Sequence, residues 1–391
     1  MKIGKWARIL LAAAPLLAGC KGFWDAPATT TTTTTATSSG AFYVLDQGTA
    51  QIAAYTIASG KLTPVTGSPY TLPGSAQPLA IAIAPNGAFL YVSTALDGIY
   101  LYTIGTGGAL TLGNSSAAIS GDLAAAMQVD STDSWLLEAL PGIGGIELSA
   151  IAISPTTGLS TSKTEPTIQI PGATVFQLAI SPDNTHVFVA LGSNGTEEVV
   201  FTAANSSPFG NTANIPVENT AGAAVSVAVD PSNRLFYVGE TAATSGVNSG
   251  GLRVFNYNTL AEVSGSPYAS GGLGPYAILP TPHSTTPGAY VYVANRTVSG
   301  GTTGNISGFS FTSTGTVYTL TALSSTAATG TTPVGLAQDS TGAYVLVVDS
   351  GGNPDLEAYT FDATTAGKLD STFTTSTGTD PVTAGAVAAV P

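Results

Sequence analysis

One unit recurs through most of the 391-residue chain and restricts its fold more than any other feature. The unit is an apolar run, a turn built from Pro, Asp, Asn or Gly, and a second run of aromatic and β-branched residues. Residues 80–92 are the cleanest copy; 178–189 and 227–238 match it, and 127–137 and 336–347 are weaker. A sixth copy starts at Ala277 and resumes at Val291 after a Pro-rich insertion. Seven positions separate the residue before the turn from the large apolar residue in five copies: Ala84 to Tyr91, Asp130 to Leu137, Ser181 to Phe188, Asp230 to Tyr237 and Asp339 to Leu346. Copies begin 47 to 59 residues apart, a period that suits the blades of a β-propeller.

Each blade needs two more strands, and alternating runs such as 98–104, 252–257 and 356–361 supply them. Composition agrees. The chain has 46 Gly and 24 Pro, and only 8% of its residues are charged, which favours short strands and tight turns over helices. The ends set the count. Residues 41–44 read as a second strand with no first strand before it, and 384–390 as a first strand with nothing after it. Pairing them completes a seventh blade and removes two open sheet edges. The expectation is an all-β, seven-bladed β-propeller of four-stranded antiparallel blades over residues 40–391, closed by its N- and C-terminal strands and acting as a monomer.

Residues 1–19 read as an export signal: Lys2, Lys5 and Arg8, then a short apolar stretch from Ile9 to Leu17. That stretch falls short of the roughly 20 residues that span a bilayer. Leu17-Ala18-Gly19-Cys20 resembles the lipoprotein box of bacteria. The resemblance implies that Cys20 is acylated and becomes the mature N-terminus; the alternative is an ordinary signal with a chance cysteine. Cys20 is the only cysteine, so internal disulfides are excluded. Lys21 after it implies, by the same resemblance, the outer membrane of a Gram-negative envelope. Residues 20–39, with an unbroken threonine run from Thr29 to Thr35, read as a tether unable to bury a core.

Loss of the three signal cations takes the formal charge from −13 to −16 and leaves seven Lys and Arg with no basic patch. That argues against nucleic acid as a partner. The expected partners are the membrane, through Cys20, and an extracytoplasmic glycan, peptide or protein.

Tyr292-Val293-Ala294-Asn295 resembles the Tyr-Val-Thr-Asn repeat of cell-envelope propellers. Gly67-Ser68-Pro69-Tyr70 and Gly265-Ser266-Pro267-Tyr268 resemble a Gly-Ser-Pro-Phe segment of the same group. That group overlaps the lactonase-like seven-bladed propellers, which include 6-phosphogluconolactonases and carboxymuconate cyclases. The resemblance covers residues 41–391 and implies the fold; for activity it offers a lactonase-type hydrolase or isomerase as the alternative to a binding module.

Loops before first strands and after second strands share one face and ring the channel, where a propeller ligand would sit. Asp46, Gln77, Tyr276, Asn295, Asp349 and Asp380 fall there and are candidate ligand-binding residues. Glu240 and Arg296 are the candidate catalytic pair, an acid/base beside an anion-binding cation. Asp349, Asn353, Asp355 and Glu357 place oxygen ligands at short spacing, which leaves calcium open as a cofactor; no His-based metal pattern is present. His186 and His283 fall at turns on the opposite face, out of reach of a ring-face site, and read as solvated turn residues. A phosphorylated lactone would want several cations around its phosphate, and the ring face offers Arg296. The leading reading is therefore a non-enzymatic binding module.

Overall fold

The computed structural model describes residues 40–242, 251–281, 289–298, 301–314, 317–352, 355–375 and 381–391. These form seven antiparallel sheets. Counting blade 1 as the one that contains the described N-terminal strand, the innermost strands of blades 1 to 7 are Ala384–Ala389, Pro78–Ile83, Ala126–Val129, Gln177–Ile180, Ala224–Val229, Leu273–Thr281 and Thr331–Gln338. Each touches the innermost strands of both neighbouring blades, so the ring is closed.

The seven-residue spacing has a structural cause. In five blades the residue before the turn donates its amide to the carbonyl five residues later, at 2.9 to 3.1 Å, from Ala84, Asp130, Ser181, Asp230 and Asp339. Three residues after each of these stand Gly87, Asp133, Asn184, Asn233 and Gly342, all at positive φ. Gly, Asn and Asp tolerate that left-handed region best, so the turn composition follows from the hairpin geometry. Where the first residue is Asp or Ser, its side chain also caps the hairpin. Asp130 Oδ1 accepts the amides of Ser134 and Trp135, and Ser181 Oγ those of Thr185 and His186.

Closure follows the sequence reading. Ala384–Ala389 pairs antiparallel with Ala41–Asp46, with Val44 opposite Val387. Blade 1 adds a fifth strand, Tyr70–Thr71, on its third strand Gln51–Ala58. The two Gly-Ser-Pro-Tyr segments play one role: each supplies the short outer strand of its blade, Tyr70–Thr71 or Tyr268–Ala269. In each the serine hydroxyl accepts a third-strand amide, Ala54 to Ser68 at 2.8 Å and Val254 to Ser266 at 3.0 Å.

The core is distributed as seven wedges, one between each pair of neighbouring blades. Second strands alternate faces between them. Tyr43, Tyr91, Tyr237 and Tyr292 are almost fully buried and pack toward the next blade, while the valine after each packs toward the previous one. Burying such a side chain contributes about 1.5–3 kcal/mol. A buried phenol also needs a partner for its hydroxyl. Tyr43, Tyr91 and Tyr292 donate to the carbonyls of Gly108, Gly158 and Gly367 on the following blade, at 2.8, 2.9 and 2.7 Å. A Cβ at Gly158, which stands at φ +69°, would lie 2.7 Å from the Phe89 ring.

Candidate functional site

The channel mouth is built by a repeated irregularity. Innermost strands enter the sheet through a β-bulge in blades 1, 2, 5, 6 and 7. A bulge re-aims one side chain out of the regular alternation. Gly385, Leu79, Val225, Tyr276 and Val334 occupy those positions, and Ala125 and Phe176 hold the same place in blades 3 and 4. All of these except Val225 line one cavity of about 230 Å³. Its remaining wall comes from the following residues of the same strands, such as Ile81, Met127 and Leu178. Gln177 and Tyr276 are its only polar side chains, and among the described residues no carboxylate, imidazole, ammonium or guanidinium lines it.

Phe176 and Tyr276 meet edge to face at 6.1 Å between ring centroids. The Arg296 guanidinium lies 4.4 Å from the Tyr276 centroid. Phe176 remains 37% exposed although it is large and apolar. The arrangement offers two aromatic rings and one cation held by a π-face, beside a cavity where polar backbone makes up much of the exposed lining.

The other expected site residues are placed differently. Glu240 is buried and pairs with Arg253, not Arg296: Arg253 donates to Glu240 Oε1 at 2.8 Å, and the Glu218 amide donates to Oε2 at 3.0 Å. Arg253 also donates to Glu262 at 2.7 Å and to the Pro216 carbonyl at 2.7 Å. Burial pushes the Glu240 carboxyl up, against the pull of Arg253. For Glu262, burial acts upward too, but Arg253 and Ser266 hold the carboxyl below its usual range. Both Glu240 oxygens and the Arg253 fork are thus engaged in joining strands.

Asp46 is buried and accepts the amides of Gly48, Thr49, Val382 and Thr383. Asn295 is fully buried and donates to the Ser270 carbonyl and Asn305 Oδ1, at 2.7 and 2.9 Å. Asp349 and Asp355 are fully buried, and the Asp349 amide donates to the Asp355 carbonyl at 2.8 Å. Glu357, also buried, bonds the Tyr359 hydroxyl. Gln77 is exposed on the loop before blade 2. Of the expected ring-face set, the structure therefore brings Tyr276 and Arg296 together. Cys20, Asp380, Asn353 and His283 lie outside the described residues.

His186 corrects a further expectation. It does stand at the start of a second strand, but it is not a freely solvated turn residue. Its Nδ1 lies 2.5 Å from Glu198 Oε1, and its ring meets Tyr257 edge-on at 4.8 Å between centroids. Cross-strand register puts it beside the strand that carries Glu198, a relation that the turn sequence does not display.

No protein-family model matches the chain, and no curated protein matches it in sequence. Solved structures do. A candidate 6-phosphogluconolactonase of Bacteroides fragilis superposes with a TM-score of 0.66 at 15% identity, over 90% of this chain and 98% of that one. A second, from Bacteroides uniformis, gives 0.65 at 16%, over 90% and 99%. The chain shares the fold of these two structures. The β-propeller domain of Swd1 from Myceliophteria thermophila is more distant, at 0.55 and 13%, over 79% and 88%. Identities this low carry architecture and not chemistry. Within this propeller, the Tyr-Val-Ala-Asn segment is structural: Tyr292 staples blade 6 to blade 7, Val293 packs on blade 5, and Asn295 ties down residues 270–271 through Ser270 and Asn305.

Proposed function

We propose that this propeller is an envelope binding module that takes an extracytoplasmic glycan, peptide or protein segment at its channel mouth. Phe176 and Tyr276 are its aromatic contacts, and Arg296 anchors an acidic group of the ligand. One observation supports this above all: the side chains that line the cavity are aliphatic or aromatic apart from Gln177, and its described residues offer no carboxylate, imidazole or amine to serve as a general acid or base. In the same reading, acylated Cys20 holds the protein to the membrane, the outer membrane being favoured by Lys21, and residues 21–39 act as the spacer. Hydrolysis of a sugar lactone draws its support from fold likeness alone.

The full chain should bind acidic glycans or peptides on an array, and Tyr276→Ala or Arg296→Ala should weaken that binding at least tenfold. 6-Phosphogluconolactone should be hydrolysed no faster with the protein than without it. Turnover that disappears in Glu240→Gln and Arg296→Ala would overturn the reading. Cys20→Ser should release the protein from the membrane fraction; a variant that still sediments with membranes has another anchor.

A further inference from the structure

Glu138 sits where this fold otherwise puts valine. Strand register pairs it with Met127 of the innermost strand in blade 3. The residues with the equivalent pairing in the other six blades are Val44, Val92, Val189, Val238, Val293 and Val347. Its neighbour Leu136 packs on blade 2, whereas Leu137 and Ala139 pack on blade 4. The Glu138 side chain therefore enters the wedge between blades 2 and 3. It is fully buried, and neither carboxylate oxygen has a hydrogen-bond partner in bonding geometry. A buried carboxylate without a partner is costly, and a valine there would contribute to the wedge instead.

Two other carboxylates converge on it. Asp122 comes from the connection between blades 2 and 3, and Glu165 from the segment that precedes the outer strand Thr167–Ile170. One oxygen from each of the three lies within 4.8 Å of the others. Asp122 and Glu165 are half-buried, so the cluster opens to solvent. Ser120 donates to Asp122 at 2.6 Å, and the buried Ser149 hydroxyl, directly across the ladder from Glu138, favours the ionised Glu138 carboxyl without reaching bonding geometry. No ion pair of the described residues reaches the three acids. Burial first, then the charges of Asp122 and Glu165, push the Glu138 carboxyl up to about 9. Burial and Asp122 push Glu165 up to about 7.

We infer that Asp122, Glu138 and Glu165 form a site for one hard divalent cation, of the calcium type, that pins blade 2 to blade 3. An all-oxygen donor set selects such ions over zinc or copper. The site is remote in sequence and blade position from Tyr276 and Arg296, and it stands whether or not the channel mouth binds a ligand.

The test is thermal unfolding and native mass spectrometry of the full chain, stripped with chelator and then given calcium, magnesium or manganese. One ion per chain is expected, with a rise in Tm of about 3–4 °C at a hundredfold excess over Kd. Glu138→Val installs the residue that the other blades carry; it should stay folded in chelator and lose both the bound ion and the Tm response. Glu165→Gln, at a half-exposed position, should weaken the ion at least tenfold and covers the case in which Glu138→Val does not fold. If no cation changes mass or Tm, the acids are neutralised by protons and the site does not exist. A response that survives in both variants would equally overturn it.

Discussion

Asp46 accepts the backbone amide of Val382 at 3.0 Å, joining positions 336 residues apart in the chain. The same carboxylate takes the Thr383 amide at 3.2 Å, so one buried side chain fastens the incoming C-terminal strand to the N-terminal one. Hydrogen bonds to a charged acceptor are each worth about 1.5–3 kcal/mol. Asp46→Ala should therefore destabilise the ring by about 2–4 kcal/mol and lower Tm by about 3–5 °C. Amide exchange should rise first across residues 41–46 and 382–390. Asp46→Asn, which keeps one acceptor oxygen, should recover part of the loss.

Arg253 joins Glu240 and Glu262 across blade 5, and its removal strands a buried carboxylate. Arg253→Ala should cost about 3–5 kcal/mol. The Glu262 carboxyl is held below its usual range, so its stabilisation is present above the unfolded pKa and lost as pH falls through the folded one. Glu262→Gln should be less stable than the parent at pH 7 by about 1–2 kcal/mol. That gap should close as pH drops below about 4.3, the usual glutamate value. Denaturant melts of both proteins from pH 3 to 7 measure it. A gap that widens toward acid would refute the assignment.

The tyrosine staples predict a repeated, modest penalty. Tyr292→Phe keeps the ring in its wedge but leaves the Gly367 carbonyl without its donor, a loss of about 1–2 kcal/mol. Tyr43→Phe and Tyr91→Phe should cost the same within error, because the geometry recurs. Gly158→Ala should cost more than Tyr91→Phe, since it adds a clash and a left-handed alanine to the same contact.

Much of the fold was legible because turn chemistry repeats. A left-handed residue three positions after the strand end forces Gly, Asn or Asp, and that punctuation marks five of the blades. Closure was legible because residues 384–390 lack a partner except at the other end of the chain. The site was less so. Bulges choose which side chain faces the channel, and nothing in the residues around Phe176 separates it from the wedge aromatics such as Phe188. Glu240 looked like a loop-end acid, yet its partner Arg253 lies across a ladder whose register the sequence does not print. Glu138 is a different case. Its place in the valine slot follows from the seven-residue spacing, since Leu137 aligns with Tyr91 and Tyr237; the signal was there without a structural reason to weigh it.

Tyr276 and Tyr237 separate fold from site most directly. Tyr237 is 2% exposed in the wedge between blades 5 and 6, so Tyr237→Ala should cost about 3–5 kcal/mol. Tyr276 is a bulge residue, half-buried at the channel mouth, and holds no strand in register. Tyr276→Ala should shift stability by less than about 1 kcal/mol while abolishing the seat for Arg296. Thermal melts of the two variants beside array binding decide the matter. If Tyr276→Ala unfolds the protein as Tyr237→Ala does, the mouth aromatics serve the fold. If it melts like the parent and binds nothing, the mouth is the site.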